Sequence, residues 1–212
     1  MEGILRHLDL DLRLLQPRDV GFSFDAEENG NSFGENALIK ARAVHALIHG
    51  EILPGVTCSP DVADIPALVQ SAVGDSVPVV LADDSGICVH ALGNRPGIRS
   101  ARFGEESTQP PTNDEERNDY LLAQLDGYSD RRAHYVCNAV MMFDHTRWLQ
   151  SQETWHGSIL LERHPGNTGF GYDPLVWLED YHCSVSQLSQ QQKDMISHRA
   201  KAVRALVRAA GW

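Results

Sequence analysis

The stretch that most constrains the fold is VVLADDSG at residues 79–86, where an apolar run leads directly into two adjacent aspartates. Such a run is typical of a buried β-strand, which we predict over residues 77–82. A buried carboxylate is costly unless a bound cation, a basic neighbour or open solvent stabilises its charge. Asp83 and Asp84 therefore either cap backbone amides in a turn at the end of the strand, or bind a hard cation such as Mg²⁺.

The composition of the chain limits the class of protein to which this strand can belong. The chain has 212 residues, of which 42% are hydrophobic and 22% charged, and this suits a single globular domain over 1–212. Its net charge of −11 argues against nucleic acid or a membrane surface as a partner. No apolar stretch is long enough to span a membrane, and the four cysteines form no C-x-x-C pair. We therefore expect a cytoplasmic protein with reduced thiols.

Hydrophobic periodicity and cap residues predict helices and strands in mixed order. Ile4, Leu5, Leu8 and Leu12 share one face of a helix over residues 1–15. The order of elements indicates an α/β fold with a mixed central sheet flanked by helices. The other predicted strands lie at 20–25, 87–92, 134–143 and 154–162, with turns at 50–60 and a loop at 163–174. The other predicted helices lie at 33–49, 64–74 (N-cap Asp64) and 112–125 (capping box Thr112 and Glu115). Ser189 and Gln192 form a further predicted capping box, and a last helix runs from the cap Ser197 to Gly211.

Three further motifs gather groups that could carry chemistry. EENG at 27–30 is either a solvated loop or the source of a second carboxylate, Glu28, for the same cation. GFGYDP at 169–174 offers two aromatic rings on which a nucleobase could stack. KDMISHR at 193–199 places three basic residues around a predicted helix N-terminus, where cations oppose the helix dipole, so it is either a basic surface or a functional site.

Four motifs together resemble the inosine triphosphate pyrophosphatase family, whose members hydrolyse non-standard purine nucleoside triphosphates such as dITP, ITP and XTP. The matching stretches are SFGENALIKARA, LADDSGICVHALGNRPGIRSARF, GFGYDP and KDMISHRAKAV. They follow the family's order and cover most of residues 20–207. The resemblance implies two lobes with the nucleotide site in the cleft between them, Mg²⁺ as cofactor, a small-molecule nucleotide as substrate, and a homodimer.

The resemblance also implies a role for individual residues. Asp84 would be the general base and a Mg²⁺ ligand, and Glu28 the second metal ligand. Water would attack the α-phosphorus, and pyrophosphate would leave. The residues implied to bind the nucleotide are Lys40 and Ser85 at the triphosphate with Arg102 as a further candidate, Phe170, Gly171, Tyr172 and Asp173 around the base and sugar, and Lys193, His198 and Arg199 to complete the site.

Selectivity would come from the oxygen at position 6 of the purine. Hypoxanthine and xanthine have an acceptor there, where adenine has an amino donor. A donor such as Arg199 would hydrogen-bond to hypoxanthine and xanthine and would be left unpaired against adenine. Guanine also has the oxygen, and the sequence does not show how its 2-amino group is disfavoured.

Two stretches depart from the family's pattern. Family members usually open with a strand and a G-N-x-x-K loop that holds the triphosphate, and this sequence lacks both, since MEGILRHL aligns with the helix that follows. We also expect residues 51–78 to be an insertion that adds a surface helix. The missing loop raises an alternative, a nucleotide-binding protein with impaired catalysis. A third reading, from the carboxylates alone, is a phosphatase that would release orthophosphate.

Overall fold

A computed structural model describes residues 2–6, 12–164, 166 and 169–212. The helices and strands alternate irregularly along the chain, and short 3₁₀ turns connect several of them. In chain order the elements are α1 (Glu2–Arg6), α2 (Pro17–Val20), β1 (Ser23–Ala26), α3 (Phe33–Ile48), β2 (Val56–Ser59), α4 (Ile65–Val73), β3 (Val80–Val89), β4 (Arg95–Pro96), α5 (Asp114–Gln124), β5 (Arg132–Met142), β6 (Trp148–Ile159), β7 (Val176–Leu178), β8 (Cys183–Ser184), α6 (Gln190–Ile196) and α7 (His198–Ala209).

A six-stranded sheet in the order β4-β3-β5-β6-β7-β8 forms the centre of the molecule, and β1 pairs with β2 in a separate small sheet. The predicted α/β fold, with a central sheet flanked by helices, is confirmed. Every strand pair within the described residues is antiparallel, so the sheet is not mixed in strand direction. Hairpin connections such as the one between β5 and β6 are short enough to allow this arrangement, whereas parallel neighbours need long crossovers.

The DDSG stretch lies inside a strand and not at its end. β3 runs without a break from Val80 to Val89, and both aspartates pair in register with β5. The prediction of a strand over 77–82 followed by a turn was therefore wrong. Adjacent residues of a strand point to opposite faces, so Asp83 and Asp84 face different sides of the sheet and do not compete for one position.

Helices cover both faces of the sheet. α3 packs through Ala37 and Ala41 against Val140 and Met142 of β5. On the opposite face, α7 packs against alternate residues of the same strand, beginning with Cys137. A second core on the α7 side lies farther along the sheet and joins α5 to the loops before β7. The two cores on this face leave a cleft between them.

Several predicted boundaries move once tertiary contacts are present. The helix predicted over 1–15 is confirmed only for Glu2–Arg6, because residues 12–16 are irregular and Leu12 is 44% exposed. Leu8 lies outside the described residues. The turn region 50–60 contains β2, which pairs with β1.

Residues 51–78 do more than add a surface helix. Ile65 and Val69 of α4 are buried against Phe22 and Leu47, in a core shared with β1 and α3. That this region is an insertion in a single domain stays a prediction.

Of the four predicted caps, those at Ser189 and Ser197 are confirmed, while Asp64 occupies the N-cap position of α4 but its side chain makes no capping hydrogen bond. Ser189 and Gln192 form the capping box of α6, and the Ser197 hydroxyl accepts a hydrogen bond from the third residue of α7. For α5 the box was misplaced by one residue: Asn113 is the N-cap and accepts from the amide of Glu116. No helix in the described ranges has the length and hydropathy to cross a membrane.

Candidate active site

A cluster of two carboxylates around one lysine lies on the α3 face of β3. Lys40 Nζ donates to Asp84 Oδ1 at 2.8 Å and lies 3.1 Å from Glu28 Oε1. Asn36, one helical turn before Lys40, donates to Asp84 Oδ2 at 3.3 Å. We call Glu28, Asn36, Lys40 and Asp84 the carboxylate cluster. α3 positions two of its members because residues four apart share one helix face.

The charges within the carboxylate cluster shift one another's ionisation. Burial raises the pKa of Asp84, and the negative charge of Glu28 adds to this effect, while Lys40 opposes it. Burial by itself would lower the pKa of Lys40, but the hydrogen bonds and charges of Asp84 and Glu28 outweigh burial and raise it. Lys40 therefore remains an ammonium group, and Asp84 is a stronger base than an ordinary aspartate.

The other aspartate, Asp83, has a different cation on the opposite face of β3. Asp83 Oδ2 accepts from Arg199 Nε and from Ser85 Oγ, each at 2.9 Å. Burial would raise the pKa of Asp83, but the charge of Arg199 and these hydrogen bonds hold it below its usual value. Burial and the Asp83 charge raise the pKa of the adjacent Cys137 thiol to about 12, so it stays protonated. Each aspartate of DDSG is thus paired with its own basic side chain.

A cavity of about 370 Å³ occupies the cleft on the α7 side, between the two cores. Its size is that of a small-molecule site. Eight of the residues predicted to bind the nucleotide line it together: Ser85, Phe170, Gly171, Tyr172, Asp173, Lys193, His198 and Arg199. Lys40 lies instead in the carboxylate cluster. Arg102 is exposed on the 3₁₀ turn at 97–102 and is not among the residues that line the cavity.

Asp173 organises one wall of the cavity through a buried network. Its Oδ2 accepts from Lys193 Nζ at 2.5 Å and from the Phe170 amide at 3.0 Å, and its Oδ1 accepts from Tyr135 Oη at 3.0 Å. Phe170 itself is 67% exposed, with Lys193 Nζ 5.2 Å from the centre of its ring. Tyr172 is buried and donates to the Ser100 carbonyl at 2.9 Å, so its ring is a fixed wall and not an exposed platform.

His198 stacks on the rings of Tyr135 and Trp155. Its ring centroid lies 4.9 Å from that of Tyr135, with an angle of 6° between the planes, and 6.1 Å from that of Trp155. Burial, together with the charge of Arg199, lowers the pKa of His198 to about 3, so the imidazole is neutral. Its Nδ1 is buried and has no hydrogen-bond partner among the residues that the structure describes. A neutral ring next to a cavity can offer one donor and one acceptor to a ligand.

The three basic residues of KDMISHR are not arranged around one helix N-terminus as predicted. Lys193 lies in the last turn of α6, where a cation interacts favourably with the helix dipole, while His198 and Arg199 begin α7. The break between α6 and α7 at Ser197 lets all three reach the cavity.

The cavity and the carboxylate cluster meet at one strand. Ser85 and Gly86 line the cavity, and Asp84 immediately before them belongs to the carboxylate cluster. β4 pairs only with Cys88 and Val89, so within the described part of the chain residues 80–87 of β3 have a strand partner on one side only. A ligand in the cavity can therefore pass over the free edge of β3 toward Asp84.

The donor set of the carboxylate cluster suits a hard divalent cation. Mg²⁺ in phosphate chemistry is commonly held by one or two carboxylates together with substrate oxygens and waters. Glu28 Oε1 and Asp84 Oδ1 both lie within 3.1 Å of Lys40 Nζ, so they converge on one point. No group of three or more His, Cys, Asp or Glu in the described ranges could hold a metal by itself. Two carboxylates that require further oxygens from a ligand fit a metal that binds together with phosphate.

Some residues of the candidate site were not predicted from the sequence. Asn36 is fully buried at Asp84, and its position four residues before Lys40 on a predicted helix was a usable signal. Tyr135 and Trp155 are neighbours across β5 and β6, which only the strand register reveals. Asp83 lay in the motif, but its pairing with a residue 116 positions away carried no local signal.

The comparison with known proteins agrees with the fold. A family model described as "Ham1 family" matches residues 1–209. This chain belongs to the Ham1 family. Among its relatives, the "dITP/XTP pyrophosphatase" of Treponema denticola is 34% identical over 195 residues, which are 92% of this chain and 85% of the relative. The protein of that name from Nitrosomonas europaea is 38% identical over 86% of this chain and 75% of its own length.

Solved Ham1 structures show the same architecture. The HAM1 protein from Coxiella burnetii has a TM-score of 0.71 and 28% identity, covering 99% of this chain and 90% of its own. The Staphylococcus aureus Ham1 protein has a TM-score of 0.64 and 32% identity, covering 88% and 80%. The resemblance inferred from the four sequence motifs is therefore confirmed.

Proposed function

We propose that this chain hydrolyses non-standard purine nucleoside triphosphates, namely dITP, ITP and XTP, to the monophosphate and pyrophosphate. The observation that carries the proposal is that the cavity and the carboxylate cluster meet at Asp84–Ser85. A purine in the cavity would place its phosphates over the edge of β3 at the carboxylate cluster. The relatives named dITP/XTP pyrophosphatase support this substrate class.

The base and sugar occupy the cavity. The exposed ring of Phe170 stacks on the purine, while Gly171, Tyr172 and Asp173 form the wall beside it. Arg199 donates to the 6-oxo group, and a 6-amino group would leave this donor unpaired. Lys193 and His198 form the rest of the pocket. Lys193 is held there by its ion pair with Asp173, and His198 presents its neutral ring.

The phosphates lie at the carboxylate cluster. Lys40 donates to phosphate oxygens, and Ser85 does so when its hydroxyl hydrogen turns from Asp83 to the bound phosphate. Arg102 is a further candidate on the adjacent turn. Glu28 and Asp84 would hold Mg²⁺, which when bound neutralises phosphate charge and stabilises the leaving pyrophosphate. Asp84 accepts the proton of the attacking water through its carboxylate, and the water oxygen forms the new bond to the α-phosphorus as the bond to pyrophosphate breaks. Its raised pKa suits this role, because a more basic carboxylate takes a proton more readily.

The test is pyrophosphate release from dITP, XTP, dATP and dGTP with Mg²⁺. We expect release from dITP and XTP and little from the other two. Asp84→Asn should abolish release while dITP binding persists, because the amide keeps the shape but is not a base. The matched control is Asp130→Asn, which changes a partly exposed aspartate outside the cavity lining and should leave release unchanged. Orthophosphate as the first product, or binding of dITP without release in the unaltered chain, would refute the proposal.

We also propose that the protein is a cytoplasmic homodimer, on the strength of the family resemblance. Sedimentation velocity should give a mass twice the 23.5 kDa of one chain. A single species at 23.5 kDa, independent of concentration, would refute the dimer.

A further inference from the structure

Asp83 has no part in the hydrolysis proposed above, yet it is held more tightly than an incidental charge. Its Oδ2 accepts from Arg199 Nε and Ser85 Oγ at 2.9 Å, and the Cys137 thiol lies at 3.7 Å. Its side chain is 15% exposed. A carboxylate enclosed in this way costs free energy unless its partners are fixed in place, so its presence calls for an explanation.

The contact is made through the inner nitrogen of the guanidinium. When Nε is engaged, the planar group is held at its stem: one terminal nitrogen lies on the same edge as Nε, and the other lies on the edge that faces away from Asp83. Those nitrogens make no hydrogen bond to any described residue, and Arg199 lines the cavity. The arginine is therefore fixed in orientation while its two strongest donor positions stay available to a ligand.

We propose that Asp83 is a positioning residue that holds the terminal nitrogens of Arg199 toward the 6-position of the purine, and so sets the discrimination between 6-oxo and 6-amino substrates. This inference rests on the proposed function. Without Asp83, the guanidinium turns toward solvent or toward the phosphates. There it would attract every nucleoside triphosphate equally, because all of them carry the same phosphate charge.

The two aspartates of DDSG then have separate tasks on opposite faces of one strand. Asp84 serves the phosphates through the carboxylate cluster, and Asp83 serves the base through Arg199. Lys40 reaches only the backbone carbonyl of Asp83, at 3.5 Å, so the two ion pairs do not share a cation. Loss of Asp84 should lower the rate for all substrates, whereas loss of Asp83 should change the ratio between substrates.

The experiment compares Asp83→Asn, Arg199→Met and the double variant with the unaltered chain. For each, kcat/KM with Mg²⁺ and the dissociation constant in EDTA are measured for dITP and dATP. Asp83→Asn should lower the dITP-to-dATP ratio about tenfold, the effect of one misplaced donor. The double variant should show the same ratio as Arg199→Met alone, because Asp83 acts only through Arg199. Asp130→Asn, at an exposed aspartate–arginine pair, should leave the ratio unchanged.

Three outcomes would refute the inference. A purely structural role of Asp83 would lower kcat/KM for dITP and dATP together and leave their ratio unchanged. Additive effects in the double variant would show that Asp83 acts independently of Arg199. If Asp83→Asn does not fold, Asp83→Glu keeps the charge and displaces it by one methylene, and an unchanged ratio there overturns the proposal. An unaltered chain that binds dITP selectively in EDTA but hydrolyses nothing would refute the proposed function and not this inference.

Discussion

Lys193→Met should strongly destabilise the protein even without nucleotide. Lys193 and Asp173 form an ion pair whose side chains are 10% and 8% exposed. Removing the lysine leaves a carboxylate in the wall of the cavity without its cation. The Tyr135 hydroxyl and the Phe170 amide remain as neutral donors, so the charge is only partly compensated.

The size of the effect follows from burial. Removing one partner of a buried pair typically costs 3–5 kcal/mol, and the two remaining donors place this case near the lower end, at about 3 kcal/mol. For a chain of this length, each kcal/mol shifts the melting temperature by about 2–4 °C. The expected decrease is therefore about 6–12 °C. The contact of Lys193 with the exposed Phe170 ring adds little, because solvent screens it.

The assay is urea denaturation followed by circular dichroism, with a thermal melt as a second measurement. Arg132→Met is the control, since Arg132 pairs with Asp130 at 2.8 Å on the exposed surface and its loss should not change the melting temperature. The double variant Lys193→Met/Asp173→Asn should recover part of the lost stability, because the amide is uncharged and can still accept a hydrogen bond. If Lys193→Met is as stable as the control, or the double variant is less stable than the single one, the reasoning from buried charge is wrong.

Three smaller perturbations test other parts of the structure. Lys40→Met removes the cation that opposes the raised pKa of Asp84, so this pKa should rise further. Because a general base works only when deprotonated, the acidic limb of the kcat/KM profile for dITP should move to higher pH. An unmoved limb would exclude Asp84 as the group that titrates. Ser197→Ala removes the cap of α7 and should cost about 1 kcal/mol in urea denaturation, whereas unchanged stability would mean that the cap contributes nothing. Gly86→Ala would place a methyl group 2.5 Å from Ser100 Oγ and against a backbone carbonyl. The substitution should lower the free energy of unfolding by about 1–3 kcal/mol. Full stability would show that the turn at 97–102 can move.

Local signals predicted the helices better than the strands. α3 and α7 were predicted nearly to their ends, because apolar residues at helical spacing and serine caps act within a few residues. The helix predicted over 1–15 was wrong over residues 12–15, since apolar periodicity does not show whether a partner surface exists. β7 and β8 were missed because strands of two or three residues carry no periodic pattern.

The sequence motifs named eight of the residues that line the cavity and three of the four members of the carboxylate cluster, but not how they are arranged. They did not show that Lys40 bridges the two carboxylates, since Lys40 and Asp84 are 44 positions apart in the chain. Tyr135 was missed for the same reason, because it becomes informative only next to a partner from another element, whereas Asn36 had a local signal in its position four residues before Lys40.

The sequence by itself determined which chemical groups are present and which segments are helical, because those properties depend on residue type and on neighbours a few positions away. Only the tertiary structure decided that DDSG continues as a strand, and with that the separation of its two aspartates. Once β3 pairs with β5, the alternation of side chains turns Asp84 toward Lys40 and Asp83 toward Arg199. The adjacent like charges are tolerated because the sheet lies between their side chains and each has a cation of its own.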